Sequence, residues 1–76
     1  MKYGAISIDP ETMGGTAVFT GTRVPIQTLF DYLEGGDTLE EFIDDFPSVT
    51  KNQVIEVLEV AKKTVTTEKM LNENFA

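Results

Sequence analysis

The junction Gly21-Thr22-Arg23-Val24-Pro25 most constrains what this chain can fold into, because it separates an extended, glycine-rich first third from helical segments. Gly21 permits a positive φ, which residues with a Cβ resist. Pro25 fixes its own φ and pushes Val24 toward extended backbone. The junction therefore predicts a tight turn that ends at the start of a helix.

Arg23 is the only arginine of the chain, which carries 6 basic residues against 13 acidic ones. Its planar fork of donors suits carbonyl groups or a carboxylate close to the turn. We interpret Gly21, Thr22, Arg23 and Pro25 as a structural motif. A contact between Arg23 and a partner or ligand is the alternative.

Two short strands are predicted before the junction. The segment from Tyr3 to Ile8 alternates apolar and polar residues, and Thr16 to Thr20 is rich in β-branched and aromatic residues. Together they predict a β-hairpin over residues 3–20, which is marginal in isolation. Such a hairpin needs the helices, or the same element of a second subunit, to cover it.

Three helices are predicted after the junction, over about residues 26–34, 39–46 and 51–65. The second and third each begin with a capping box, in which a threonine precedes Glu41 or Gln53 by three positions. We therefore predict a mainly α, tri-helical, helix-turn-helix-like unit with a short N-terminal β-hairpin. This single domain spans residues 1–66 and is followed by a loosely ordered tail, 67–76.

The third helix is more apolar than one core requires. Its apolar residues spread over roughly 220° of the helix, whereas packing on one core needs a stripe only somewhat wider than about 100°. The hairpin, a second subunit and a partner protein are the three candidates to cover the excess. In the tail, Met70, Leu71 and Phe75 are large apolar residues suited to folding on a partner; a frayed end or a cap on the chain's own core is the alternative.

Composition excludes several classes of function. The 76 residues include no cysteine and no histidine, so neither a Ser-His nor a Cys-His nucleophilic pair can form, and the usual zinc ligands are missing. The carboxylates of the second helix alternate with core residues, as on a solvated helix face. We predict that the protein is not an enzyme and has no cofactor or metal site.

The net charge of -7 at pH 7 indicates the kind of partner. An acidic chain repels a phosphate backbone, so a basic protein is its natural complement. A domain of this size gains stability by self-association, and we predict a homodimer. No apolar run is long enough for a signal peptide or a membrane span, which predicts a cytoplasmic protein without a membrane partner.

Candidate partner-binding residues lie on the third helix and in the tail, and they are Ile55, Val60, Lys62, Met70, Leu71 and Phe75. Candidate DNA-binding residues lie at the start of the third helix, where Lys51, Asn52 and Gln53 carry groups that contact phosphates or bases. Glu56 and Glu59 share the exposed side of that helix and oppose phosphates. DNA is therefore expected only as the partner of a dimer or of a complex with a basic protein.

The motifs that run from Ile6 to Ala61 are, in order, Ile6-Ser7-Ile8-Asp9-Pro10, Gly15, Gly21-Thr22-Arg23-Val24-Pro25-Ile26, Leu33, Gly35-Gly36, Thr38-Leu39-Glu40-Glu41 and Phe46-Pro47-Ser48-Val49-Thr50. In this combination and spacing the chain resembles the bacterial family known as domain of unknown function 433. It departs from the family at Thr16-Ala17, where members often carry a basic residue and a proline.

The resemblance implies a homeodomain-like tri-helical fold with an N-terminal β element. It also implies a VapB-like antitoxin, one half of a type II toxin–antitoxin pair whose toxin is a small PIN-like nuclease. Our leading hypothesis is that this chain neutralises such a nuclease by direct protein binding. The alternative is a helix-turn-helix transcriptional regulator that binds DNA through the helix over residues 51–65.

Overall fold

The computed structural model of the protein describes residues 2–11 and 13–66. In that part of the chain, three short strands are followed by three helices: β1 Lys2–Tyr3, β2 Ile6–Ile8, β3 Ala17–Phe19, α1 Ile26–Glu34, α2 Leu39–Asp45 and α3 Lys51–Thr66. A single 3₁₀ turn, Met13–Gly15, lies between β2 and β3. The prediction of a mainly helical domain with a small N-terminal β element is confirmed, and each predicted helix ends within one residue of the observed position.

The N-terminal element is a three-stranded antiparallel sheet in the order β1-β2-β3. The segment from Tyr3 to Ile8 was predicted as one strand, and that prediction was wrong. A turn at Gly4-Ala5 divides it, and Gly4 has a φ of 55°, which costs a glycine little. Alternating apolar residues predict which side chains share a face of a strand. They do not predict where the chain turns back.

The junction between the sheet and α1 is held by hydrogen bonds of Thr22. Its Oγ1 donates to the carbonyl of Phe19 at 2.8 Å and accepts from the Val24 amide at 3.0 Å. The Phe19 amide donates to the Val24 carbonyl at 3.0 Å, and Gly21 has a φ of 79°. Pro25 pairs with β3 and directly precedes α1, so this short turn joins both elements.

Arg23 is exposed in the middle of this turn. The hydrogen bonds of the turn are formed by the Thr22 side chain and by backbone groups, so the guanidinium takes no part in them. The motif over residues 21–25 is thus a turn in which threonine, glycine and proline supply the structural chemistry. The exposed Arg23 side chain forms none of the hydrogen bonds of the turn. Its function stays a prediction.

Replacing Thr22 with valine is expected to lower the free energy of unfolding by about 1–2 kcal/mol, because the half-buried hydroxyl makes two hydrogen bonds that an isosteric methyl cannot make. Urea unfolding followed by circular dichroism measures the loss. The matched control is Thr22→Ser, which keeps the hydroxyl and should lose much less. Equal losses in the two variants would contradict the assignment of the turn's stability to these hydrogen bonds.

The core lies between the sheet and the three helices. Its buried apolar residues are Ala5, Val18, Phe19, Leu29, Phe42, Val49, Val54 and Val57. The Phe42 ring is its centre, because the rings of Phe19, Tyr32 and Phe46 lie 5.8, 5.3 and 5.1 Å from it, centroid to centroid. Each helix thus contributes at least one fully buried side chain to a single core.

Of the two predicted capping boxes, the one at α3 forms in full and the one at α2 forms in part. At α3 the box is reciprocal: the Gln53 amide donates to Thr50 Oγ1 at 3.1 Å, and the Thr50 amide donates to Gln53 Oε1 at 3.0 Å. At α2 the Glu41 amide donates to Thr38 Oγ1 at 3.1 Å, but the Glu41 carboxylate accepts from the Thr38 hydroxyl rather than from its backbone. The caps fix where α2 and α3 begin.

Thr20 ties α3 to the sheet. Its amide donates to the Ala5 carbonyl and its hydroxyl to the Gly4 carbonyl, at 2.9 and 2.7 Å. Its own carbonyl accepts from Gln53 Nε2 at 2.9 Å. The residue directly after β3 therefore joins the first turn of the sheet to the start of the longest helix.

Candidate protein-binding surface

The negative charge of the protein is concentrated on α1, α2 and the loop between them. Between Arg23 and Lys51 the sequence has no basic residue, whereas basic and acidic residues balance in the rest of the chain. All acidic residues of this segment are exposed. We call them the acidic surface: Asp31, Glu34, Asp37, Glu40, Glu41, Asp44 and Asp45.

Tyr32 connects the two helices within the acidic surface. Its hydroxyl donates to Asp45 Oδ2 at 2.6 Å, which crosses from α1 to α2. The pKa of the Tyr32 phenol lies above its ordinary value of 10.0, because of this hydrogen bond, partial desolvation, and the charges of Asp45, Asp37 and Glu41. The negative charges of α1, the loop and α2 thus disfavour a further negative charge on the Tyr32 phenol.

The raised pKa of Tyr32 predicts how stability depends on alkaline pH. A group whose pKa is higher in the folded state contributes stability that is complete below its unfolded pKa of 10.0 and is lost as pH rises through the folded value. Wild type should therefore exceed Tyr32→Phe in urea midpoint at neutral pH, and the difference should shrink above pH 10. A difference that stays constant with pH would contradict a contribution from the phenol proton.

The three α3 residues predicted to bind a partner do not form one surface. Ile55 and Val60 are each 43% exposed, and Lys62 is exposed. At about 100° per residue, Ile55 and Lys62 lie only about 20° apart around the helix, whereas Val60 lies about 140° from Ile55. Ile55 and Lys62 therefore share a face, and Val60 belongs to another side of α3.

The sheet does not cover all of the apolar excess of α3. Phe19 of β3 shares the core with Val54 and Val57, Gln53 bonds to Thr20, and the Glu56 carboxylate lies against Gly4. Val65, near the C-terminal end of α3, is 58% exposed. The other predicted partner-binding residues, Met70, Leu71 and Phe75, lie outside the described residues, and their role stays a prediction.

The structure separates the three candidate DNA-binding residues. Lys51 and Asn52 are exposed at the start of α3. Gln53 is not free to read a base, because its Oε1 accepts from Thr50 and its Nε2 donates to Thr20. The structure therefore argues against Gln53 as a DNA-binding residue and gives it a structural role. The spacing of three positions between Thr50 and Gln53 predicts the cap from the sequence. No neighbouring residue in the sequence indicates the bond to Thr20, which is 33 positions away.

No concave pocket opens between the described residues, and no group of three or more of their carboxylates is arranged to hold a metal ion. Within residues 2–11 and 13–66, no helix combines the length and the apolar character that crossing a bilayer requires.

The fold and the surface define a class: a small, acidic, mainly helical domain in which an antiparallel sheet packs at the N-terminus of three helices. The model of the family described as "Protein of unknown function (DUF433)" matches residues 6–61. The match covers more than half of the chain, which therefore belongs to that family. No curated protein and no solved structure matched the chain.

Proposed function

We propose that this protein is the antitoxin of a type II toxin–antitoxin pair, a dimeric and non-catalytic binding module that neutralises a small, basic, PIN-like nuclease. The observation that carries the proposal is the acidic surface. The whole excess of negative charge lies on one contiguous segment, α1 to α2, where every carboxylate is exposed. A merely soluble domain has no need to separate its charges in this way.

The proposed mechanism is competition for a basic surface. A nuclease that holds RNA presents positive charge to the phosphates, and the acidic surface offers carboxylates in their place. Charge complementarity of this kind accelerates association and selects the partner. The half-buried ring of Tyr32, which bonds to Asp45, and the neighbouring ring of Phe46 add apolar contact area close to that charge. Apolar anchors supply most of the affinity of protein interfaces.

Co-purification tests the proposal. A tagged copy of the full chain is recovered from native host lysate at low salt, with and without nuclease treatment, and stoichiometric partners are identified by mass spectrometry. We expect a small basic protein that stays bound after nucleic acid is digested, leaves at high salt, and has nuclease activity that the purified chain inhibits. Recovery of the chain without such a protein contradicts the antitoxin function.

A transcriptional regulator is the second candidate, favoured by the exposure of Lys51 and Asn52 at the start of α3. Four carboxylates on α2, Glu40, Glu41, Asp44 and Asp45, oppose it, because in a helix-turn-helix the helix before the reading helix lies against the DNA backbone. In the same experiment, recovery of DNA and no protein would favour this function.

A further inference from the structure

The exposed face of α3 has the spacing of a coiled-coil seam. Ile55, Leu58, Lys62 and Val65 follow one another at intervals of three, four and three residues within α3, which is the a-d-a-d pattern of a heptad repeat. They lie within about 80° of one another around the helix and extend over about 15 Å. Ile55 and Val65 are 43% and 58% exposed, and Leu58 is half-buried at the edge of the chain's own core.

From this face we infer that α3 pairs with the α3 of a second copy of the chain, antiparallel and about a two-fold axis near residue 60. The inference rests on the proposed dimer and assigns its interface. In this register Ile55 lies over Val65 of the other copy, and the stem of Lys62 lies over Leu58 of the other copy. The two most exposed apolar residues of the face thereby cover each other.

The charges of α3 favour a second copy in the antiparallel orientation. In a parallel pair, Lys62 would face Lys62 across the seam, whereas the antiparallel pair brings its ammonium beside Glu59, which occupies the flanking e position. The antiparallel pair also keeps the two acidic surfaces apart, because the buried residues of α1 and α2 share a core with Val54 and Val57, which lie in the N-terminal half of α3. Two copies can meet through α3 because that helix carries charges of both signs. Two copies that met through their acidic surfaces would repel each other.

The test uses the purified full chain alone, so that its result does not depend on the antitoxin function. Sedimentation equilibrium over a dilution series should show a monomer–dimer equilibrium, and Ile55→Ser should weaken the dimer about tenfold or more, since the substitution occurs twice per dimer. The matched control is Val60→Ser, which changes an equally exposed residue on another side of α3 and should leave the equilibrium unchanged. Two outcomes would each overturn the inference. One is a monomer at every concentration, which is expected if the chain's own tail covers the face. The other is an equal effect of the two substitutions.

A charge exchange tests the orientation. Glu59→Lys alone, and Lys62→Glu alone, place like charges next to each other in the antiparallel pair and should each weaken the dimer. The double variant restores an attractive pair and should regain most of the wild-type affinity. Double-variant losses equal to the sum of the single losses would rule out the pairing of Glu59 with Lys62 across the axis.

Discussion

Phe42→Ala is expected to leave most of the protein unfolded at room temperature. Phe42 is fully buried at the centre of the core, against the rings of Phe19, Tyr32 and Phe46. Truncating a buried phenylalanine costs about 3–5 kcal/mol, and a core of this size rarely supplies more than about 3–5 kcal/mol in total. Loss of the far-ultraviolet circular dichroism signal and of the cooperative thermal transition measures the effect.

Two controls show whether this loss belongs to the centre of the core. Phe42→Leu keeps an apolar side chain of similar volume and should remain folded, with a reduced unfolding midpoint. Phe46→Ala removes a ring of the same cluster that is only half-buried, and its loss should be smaller than that of Phe42→Ala. A cooperative transition of Phe42→Ala near the wild-type midpoint would show that the described packing is not the source of stability.

Reversing charges on the acidic surface is expected to weaken binding of the basic partner about ten- to a hundredfold at low salt, mainly through slower association. The variant is Glu34→Lys with Asp44→Lys. Both residues are exposed and lie in the last turns of α1 and α2, where a basic side chain interacts favourably with the helix dipole. The fold should therefore be kept, and surface plasmon resonance against the co-purified partner measures the rates.

The matched control for the acidic surface is Glu11→Lys with Glu56→Lys. It changes the net charge by the same amount, also at exposed positions, but outside α1 and α2. If the acidic surface is the binding surface, this control should bind the partner nearly as well as wild type. Its affinity should also fall with salt concentration as steeply as that of wild type. Equal losses in the two variants would show that total charge governs binding, without a defined surface.

Much of this fold was predictable because its signals are local. The apolar stripes and the threonine caps placed α1, α2 and α3 to within one residue, since capping and helical periodicity act over three or four positions. The acidic surface was also accessible from the sequence, because the absence of a basic residue between Arg23 and Lys51 can be counted. The bond between Tyr32 and Asp45 was not, because it joins residues on different helices.

Side chains with two possible partners were the hardest to interpret. Gln53 has the amide chemistry to read adenine, and the sequence alone left it among the DNA-binding candidates. In the structure the Gln53 side-chain amide bonds to Thr50 and to Thr20. Thr20 is 33 positions away in the sequence. Likewise Ile55 and Val60 were grouped by their exposure, although the turn of the helix separates them.

The sequence by itself determined where the helices begin and end, the sign and location of the charge, and the exclusion of histidine and cysteine chemistry. Each of these depends on composition or on neighbours within one turn of helix. The tertiary structure alone decided that the first segment folds back at Gly4, that Thr20 joins the sheet to α3, and which apolar residues of α3 stay exposed. Those features arise from contacts between distant segments, and such contacts form only where close packing of the whole core brings the segments together.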